Sequence, residues 1–93
     1  MFTWLNKQGV ESDKGFIVQR TDRFTTEYRE GSKVISVWVE NGFLPDNKVC
    51  VYITPDAFQK WDDGALIVKQ KQEEIFLNFK EAMEFKGIAV LVD

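Results

Sequence analysis

Short runs of apolar and β-branched residues, separated by glycine or proline, fill the first half of the chain. Within each run apolar and polar side chains tend to alternate, which is typical of β-strands with one buried face. The connections between the runs are short, and short connections favour antiparallel hairpins. We predict strands at 15–21, 24–30, 33–40 and 48–54, turns at 22–23 and 31–32, and a loop at 41–47.

The second half of the chain changes to the period of an α-helix. Residues 69–86 contain strong helix formers and neither glycine nor proline. Gly87 stands where a helix-ending glycine belongs, and 88–92 follow as a buried last strand. One helical face collects the apolar positions at i, i+3 and i+4 spacing, namely Ile75, Phe76, Phe79, Ala82 and Met83.

This order of elements predicts a single α+β domain spanning 1–93. We expect a mainly antiparallel sheet of about five strands, with one long C-terminal helix packed on one face and a last strand after it. The N-terminal segment, which contains Phe2, Trp4 and Leu5, fits either an extra edge strand or a short helix. The pattern leaves both possibilities open.

Side-chain alternation also predicts how the two faces of the sheet are used. One face is aliphatic and should contact the helix; it carries Ile35, Val37, Val39, Val49, Val51 and Ile53. The opposite face carries Trp38 and Tyr52, with Tyr28 and Phe24 as further candidates. Either the N-terminal segment covers this face with Trp4 packed on Trp38, or part of it is open to a partner. We expect most of these rings to be covered, because large apolar side chains are usually buried.

Charge and cysteine content narrow the classes of function. The chain has 15 acidic and 12 basic side chains, and the basic ones are scattered, which disfavours nucleic-acid binding. The net charge of -3 suits a basic protein partner, although it also serves solubility alone. A single cysteine, a start unlike a signal peptide and the lack of an apolar run long enough for a bilayer predict a cytoplasmic protein without a membrane role.

Residues suited to catalysis are scarce. Histidine is absent, which removes the commonest general base and zinc ligand. Cys50 lies mid-strand among valines, so we interpret it as a core residue. Asp62 and Asp63 could hold a cation, but no further oxygen ligands follow at the spacing of a calcium loop, and aspartates in turns are commonly structural. We therefore predict a non-enzyme with no catalytic residues, no metal and no cofactor.

The segment Trp61-Asp62-Asp63-Gly64 is the most suggestive feature, because it places an aromatic ring beside two acids in a loop. The competing interpretation is that the ring anchors the loop to the core and the acids cap the turn. Our candidate partner-binding residues are Trp61, Asp62, Asp63, Asp56, Trp38 and Tyr52.

Three stretches of the chain resemble the immunity protein 74 family of bacterial polymorphic toxin systems. They are 9–12 with 14–16, then 61–64 (W-D-D-G), then the helix-to-strand junction with Phe79 through Ala82, Phe85, Gly87, Ile88 and Val90. The resemblance spans nearly the whole chain in order and spacing. It implies an α+β protein, encoded beside a toxin of a contact-dependent or secreted system, that neutralises this toxin by non-covalent binding and needs no catalytic residues.

The residues and the resemblance together predict an immunity protein whose partner is a cognate toxin, with a basic nuclease-type domain as one candidate. Tight inhibition requires a desolvated aromatic anchor and charge pairs, and the segment around Trp61 has that composition. The alternative is a small-ligand or regulatory protein-binding module, with a pocket beneath the N-terminal segment. An enzyme that uses only carboxylates is a third hypothesis. A homodimer through a strand edge or through the Trp38 face also stays open.

Overall fold

The computed structural model describes residues 1–93 and contains eight strands and one helix. Their bounds are β1 (Phe2–Asn6), β2 (Gly9–Ser12), β3 (Phe16–Asp22), β4 (Thr25–Glu30), β5 (Lys33–Trp38), β6 (Glu40–Phe43), β7 (Val49–Ile53), α1 (Lys69–Phe85) and β8 (Ala89–Val92).

The fold is α+β, which confirms the predicted class. Strands β1 to β5 form an antiparallel meander in sequence order, and β6, β7 and β8 form a second, smaller sheet. In that smaller sheet β7 and β8 are parallel, because α1 connects them as a crossover. Only Val39 separates β5 from β6, so one length of chain passes from the larger sheet into the smaller. Val39 is fully buried, and its N–H donates to the carbonyl of Phe24 at 2.8 Å.

Tight hairpins set the register of the larger sheet. Gly31 has a φ of 61° at the first position of the two-residue turn between β4 and β5, where the twist of a hairpin favours a positive φ. This turn pairs Tyr28 with Ile35 and Thr26 with Val37, and all four side chains are buried on one face. We call this the inner face, and the opposite one the outer face.

Helix α1 lies on the inner face and buries four of the five positions predicted for it, which are Ile75, Phe79, Ala82 and Met83. The fifth, Phe76, is only partly buried against the core. The helix ends at Phe85, and Gly87, two residues later, has a φ of 83°. The N–H of Ile88 donates to the carbonyl of Met83 at 2.9 Å, so the chain reverses and enters β8. Phe79 is at the centre of the core, 5.5 Å from Phe58 between ring centroids. Helix α1 is not long and apolar enough to span a membrane.

The N-terminal segment forms the edge strand β1 and the short strand β2. The expected packing of Trp4 on Trp38 is wrong. The ring of Trp4 lies 5.8 Å from that of Phe85 at the end of α1, and Phe2 lies 5.4 Å from the same ring. Because β1 extends the sheet sideways, it cannot cover the outer face.

Three further expectations are corrected. Tyr28 lies in the core rather than beside Trp38, because its cross-strand partner is the buried Ile35.

Residues 41–43 belong to β6 rather than to a loop. Gly42 lets the ring of Tyr52 lie on this strand, since a Cβ there would be 3.0 Å from Tyr52 Cε2. Val49 is exposed, because it lies opposite the exposed Phe43 at the open end of the smaller sheet.

We expect Phe79→Ala to lower the free energy of unfolding by about 3–5 kcal/mol, because it removes a fully buried ring and leaves a cavity. Urea denaturation followed by circular dichroism measures this change. The exposed Leu77 on the same helix is the matched control, and its replacement by alanine should change stability by about 0.5 kcal/mol or less. Equal losses for the two variants would contradict the assignment of the core.

Candidate partner-binding surface

The outer face of the five-stranded sheet carries an exposed aromatic pair. Trp38 and Phe24 have 58% and 42% of their surface exposed. Their rings stack at 5.2 Å between centroids with an interplanar angle of 13°. The guanidinium carbon of Arg23 lies 5.5 Å from the centre of the Phe24 ring. Two large rings are thus held in a fixed mutual orientation at the solvent surface.

Asp62 lies along the outer edge of β5 and pairs with its backbone. The N–H of Asp62 donates to the carbonyl of Val34 at 2.8 Å. Asp62 Oδ1 accepts from the Ser36 N–H at 2.9 Å, and Oδ2 accepts from the Ser36 hydroxyl at 2.6 Å. Asp62 therefore bonds two backbone groups that would otherwise face solvent at this edge, and it acts as a cap on the edge strand.

Asp63 is also held by the protein itself. Its Oδ2 accepts from Lys33 Nζ at 2.6 Å, and its Oδ1 accepts from the N–H of Ala65 at 2.9 Å. The hydrogen bond from Lys33 is the main reason that the pKa of the Asp63 carboxyl lies below its usual value, and the Ala65 N–H adds to it. Both charged side chains remain about half exposed, so the ion pair is a surface feature.

Trp61 anchors the loop, as the structural interpretation of the sequence proposed. Its half-buried ring packs against the core cluster, and the backbone N–H of Trp61 donates to the carbonyl of Ala65 at 2.9 Å. Asp56 accepts from the Thr54 hydroxyl at 2.6 Å. Asp56, Trp61 and Asp62 line one shallow depression of about 460 Å³. The structure thus brings these three candidates together, with Asp63 next to them at the strand edge.

Tyr52 lies apart from the loop, in the smaller sheet. It is the cross-strand partner of Glu40, which follows Trp38 by two positions. Because Val37 and Val39 are both buried, the alternation continues across the junction and Tyr52 faces the same side as Trp38. The neighbouring Cys50 side chain is the main cause that raises the pKa of the Tyr52 phenol. Cys50 itself is fully buried, as expected.

A polar cluster at the seam between sheet and helix had no signal in the sequence. The buried Tyr28 hydroxyl donates to Glu30 Oε1 at 2.7 Å and accepts from Asn78 Nδ2 at 3.0 Å. Burial raises the pKa of Tyr28 above its usual value. Glu30 also pairs with Lys71 at 2.7 Å; burial acts to raise the pKa of Glu30, but the bonds from Lys71 and Tyr28 outweigh it and lower that pKa. The cluster fixes α1 on β4. No buried side-chain nitrogen or oxygen atom of the protein lacks a hydrogen-bond partner.

An apolar groove of about 440 Å³ lies beside the N-terminal half of α1. It opens at the carboxyl ends of the parallel strands β7 and β8, the position at which α/β crossovers commonly bind ligands. Its apolar lining comes from Ile53, Pro55, Phe58, Phe76, Leu77 and Val92. The sequence could not reveal it, because it depends on how the segment after β7 folds back beside the helix. The groove is remote from the N-terminal segment, where the small-ligand hypothesis had placed a pocket.

No group of three or more histidine, cysteine, aspartate or glutamate side chains is arranged to hold a metal ion. Comparison of the chain with models of protein families, with curated proteins and with solved structures gave no match.

The Lys33–Asp63 pair leads to a prediction about pH. The folded-state pKa of Asp63 is lowered, so this carboxylate stabilises the fold above its unfolded pKa of about 4, and the contribution is lost as pH falls through the folded value. We expect Asp63→Asn to reduce stability at pH 7, and the difference from wild type to shrink below about pH 4. Urea denaturation between about pH 2 and pH 7 measures both curves.

Lys33→Met is the matched variant, because it removes the other half of the same pair. It should change the pH dependence in the same direction but by less, because the Ala65 N–H still donates to Asp63 and lowers its pKa. A difference between wild type and Asp63→Asn that stays constant with pH would contradict the assigned role of this ion pair.

Proposed function

We propose that this protein is an immunity protein that binds a cognate bacterial toxin domain and neutralises it by non-covalent inhibition. The observation that carries the proposal is the stacked Trp38–Phe24 pair on the uncovered outer face. Tryptophan is among the residues that contribute most to binding energy at protein interfaces. The stack also fixes the ring orientation before binding, so less side-chain entropy is lost in the complex.

The surroundings of the aromatic pair favour a basic partner. Acidic side chains lie along β5 and its neighbours, at Asp62, Asp63, Glu27 and Glu40. Asp63 and Glu27 are paired with Lys33 and Arg29, so the negative field comes mainly from Asp62 and Glu40. The oxygens of Asp62 and Asp63 already accept internal hydrogen bonds, so these acids contribute mainly through the electric field at the rim. Such a field speeds encounter with a positively charged surface, while the desolvated rings supply affinity. The phosphate-binding cleft of a nuclease-type toxin has this positive character.

The resemblance to the immunity protein 74 family suggests the class of partner, and we propose the outer face as the contact surface because its aromatic pair is exposed. Inhibition of this kind needs only a surface that occludes the toxin's cleft, which agrees with a chain that offers aromatic and carboxylate groups but no histidine. Trp61 has a supporting part in this arrangement: it holds the loop that carries the acids against the edge of β5.

The decisive experiment is co-expression with the toxin encoded by the adjacent gene, in cells that the toxin kills when expressed alone. We expect the cells to survive, and the two purified proteins to form a complex with one copy of the toxin domain per immunity chain. Death of cells that contain abundant, folded protein would overturn the proposal.

Replacement of Trp38 by alanine tests the contact surface. We expect the dissociation constant of the complex to rise about 30-fold or more, which corresponds to about 2 kcal/mol for a buried aromatic anchor. Isothermal titration calorimetry measures the change, and circular dichroism checks that the variant is folded. Phe43→Ala is the control, since Phe43 is 72% exposed but lies on the side of β6 opposite to Tyr52. Equal effects of the two variants would rule out the outer face.

The apolar groove favours a second candidate function, a small-ligand binding module. Its volume of about 440 Å³ lies within the range of small-molecule sites. The rim carries an amine, an amide and a carboxylate, from Lys69, Gln72 and Glu73. This composition fits an apolar molecule with one polar end.

An apolar fluorescent probe tests this candidate. We expect the folded protein to enhance the emission of the uncharged probe N-phenyl-1-naphthylamine, and Leu77→Lys to reduce that enhancement severalfold, because it places a charge in the lining of the groove. Leu66→Lys is the matched control, because Leu66 is exposed outside the groove. An unchanged signal for Leu77→Lys would exclude the groove as the binding site.

A further inference from the structure

The two edges of the five-stranded sheet differ in whether their outward-facing backbone groups are covered. The edge formed by β5 is capped by Asp62 and by the Lys33–Asp63 ion pair. The edge formed by β1 pairs with β2 alone, and its residues (F-T-W-L-N) include neither a charge nor a proline. Natural proteins usually protect such an edge, because its free N–H and C=O groups can pair with another chain. An uncharged β1, interrupted only by a bulge after Trp4, therefore needs an explanation.

The hydrogen-bond pattern defines which groups of β1 are free. The carbonyl of Met1 accepts from the N–H of Asp13 at 3.0 Å. In an antiparallel pair every second residue bonds to its neighbour, so Thr3 bonds toward β2, opposite Glu11. The N–H and C=O groups of Phe2 and Trp4 consequently point outward. A bulge after Trp4 ends the regular part of the strand.

We infer that β1 pairs with β1 of a second copy of this chain, antiparallel and with the two-fold axis beside Thr3. This register sets Phe2 of each copy opposite Trp4 of the other. The four free backbone groups in each copy then form four hydrogen bonds between the chains. A self-complementary patch of this kind is what a two-fold symmetric dimer requires.

The side chains around β1 fit the same register. Phe2 and Trp4 lie on the inner side against Phe85, at 5.4 and 5.8 Å between ring centroids. Trp4 and Phe85 are 49% and 45% exposed, which is unusual for rings that pack on each other. Pairing of two β1 strands places these rings next to their symmetry mates and removes them from water. Since β1 carries no charge, the pairing brings no like charges together.

The dimer is independent of the proposed function, because β1 and the Trp38–Phe24 pair lie at opposite edges of the sheet. The contact consists of one short strand pair and a few rings. We therefore expect a weak dimer, in the range of small interfaces, with a dissociation constant of about 10 to 100 μM.

Sedimentation velocity over about 1 to 500 μM of the full chain should show a reversible monomer–dimer equilibrium. We expect Thr3→Lys to weaken the dimer about tenfold or more, because two ammonium groups then face each other at the axis. Within one chain the new lysine lies opposite Glu11, so the monomer fold is retained. Thr21→Lys, at an exposed position of the central strand β3, is the matched control and should dimerise like wild type.

A charge-swap experiment identifies the contact itself. A mixture of Thr3→Lys and Thr3→Glu chains should form mixed dimers, detected by native mass spectrometry, while Thr3→Lys alone does not dimerise at the same concentration. A wild-type chain that stays monomeric throughout the range would overturn the inference. Dimers that persist unchanged in Thr3→Lys, or that disappear only in Trp38→Ala, would also overturn it.

Discussion

The packing of α1 on the inner face is the contact on which the rest of the structure depends. A 17-residue helix is about 25 Å long, and five strands span about 20 Å, so one helix suffices to cover one face of the sheet. It joins β7 to β8 and thereby builds the smaller sheet, and its polar seam with β4 fixes its position. Having one helix, the protein can bury only one face. The outer face is open because the chain has no second helix to cover it, and no special feature of the sheet is needed to explain this.

The local sequence pattern predicted the elements well where apolar and polar side chains repeat with the period of a helix or a strand. Four of the five positions predicted for the buried face of α1 are buried, because each apolar position repeats at helical spacing, and Gly87 marks the end. The fifth, Phe76, is partly buried and lines the groove. Tyr28 was misplaced although its neighbours carried the signal: Glu27 and Arg29 flank it, and charged side chains on both sides indicate that the ring points inward. Trp4 was misplaced for a different reason. Its contact with Phe85 joins residues at opposite ends of the chain, and no local pattern encodes such a contact.

At the candidate site, too, the sequence indicated which residues are involved but not the contacts they make with distant residues. The sequence located the acids beside Trp61 correctly, yet it could not tell that Asp62 would bond to Ser36, 26 positions away. A carboxylate that completes a strand edge is less free to meet a partner than one in open solvent. Trp38 and Phe24 therefore replace the acidic loop as the main candidates for contact with a partner. Their stacking depends on the β4–β5 register, which composition does not reveal.

Capping one edge of the sheet and leaving the other free has a consequence for binding. With the axis beside Thr3, both copies of Thr3 lie on the same side, so the axis is perpendicular to the sheet and both outer faces point in the same direction. Nine strand spacings then separate the two copies of Trp38, a distance of about 45 Å. That separation leaves room for two small domains side by side. A dimer joined through β1 could therefore hold two partners at once, and linked binding sites of this kind slow dissociation from any partner that is itself paired or clustered.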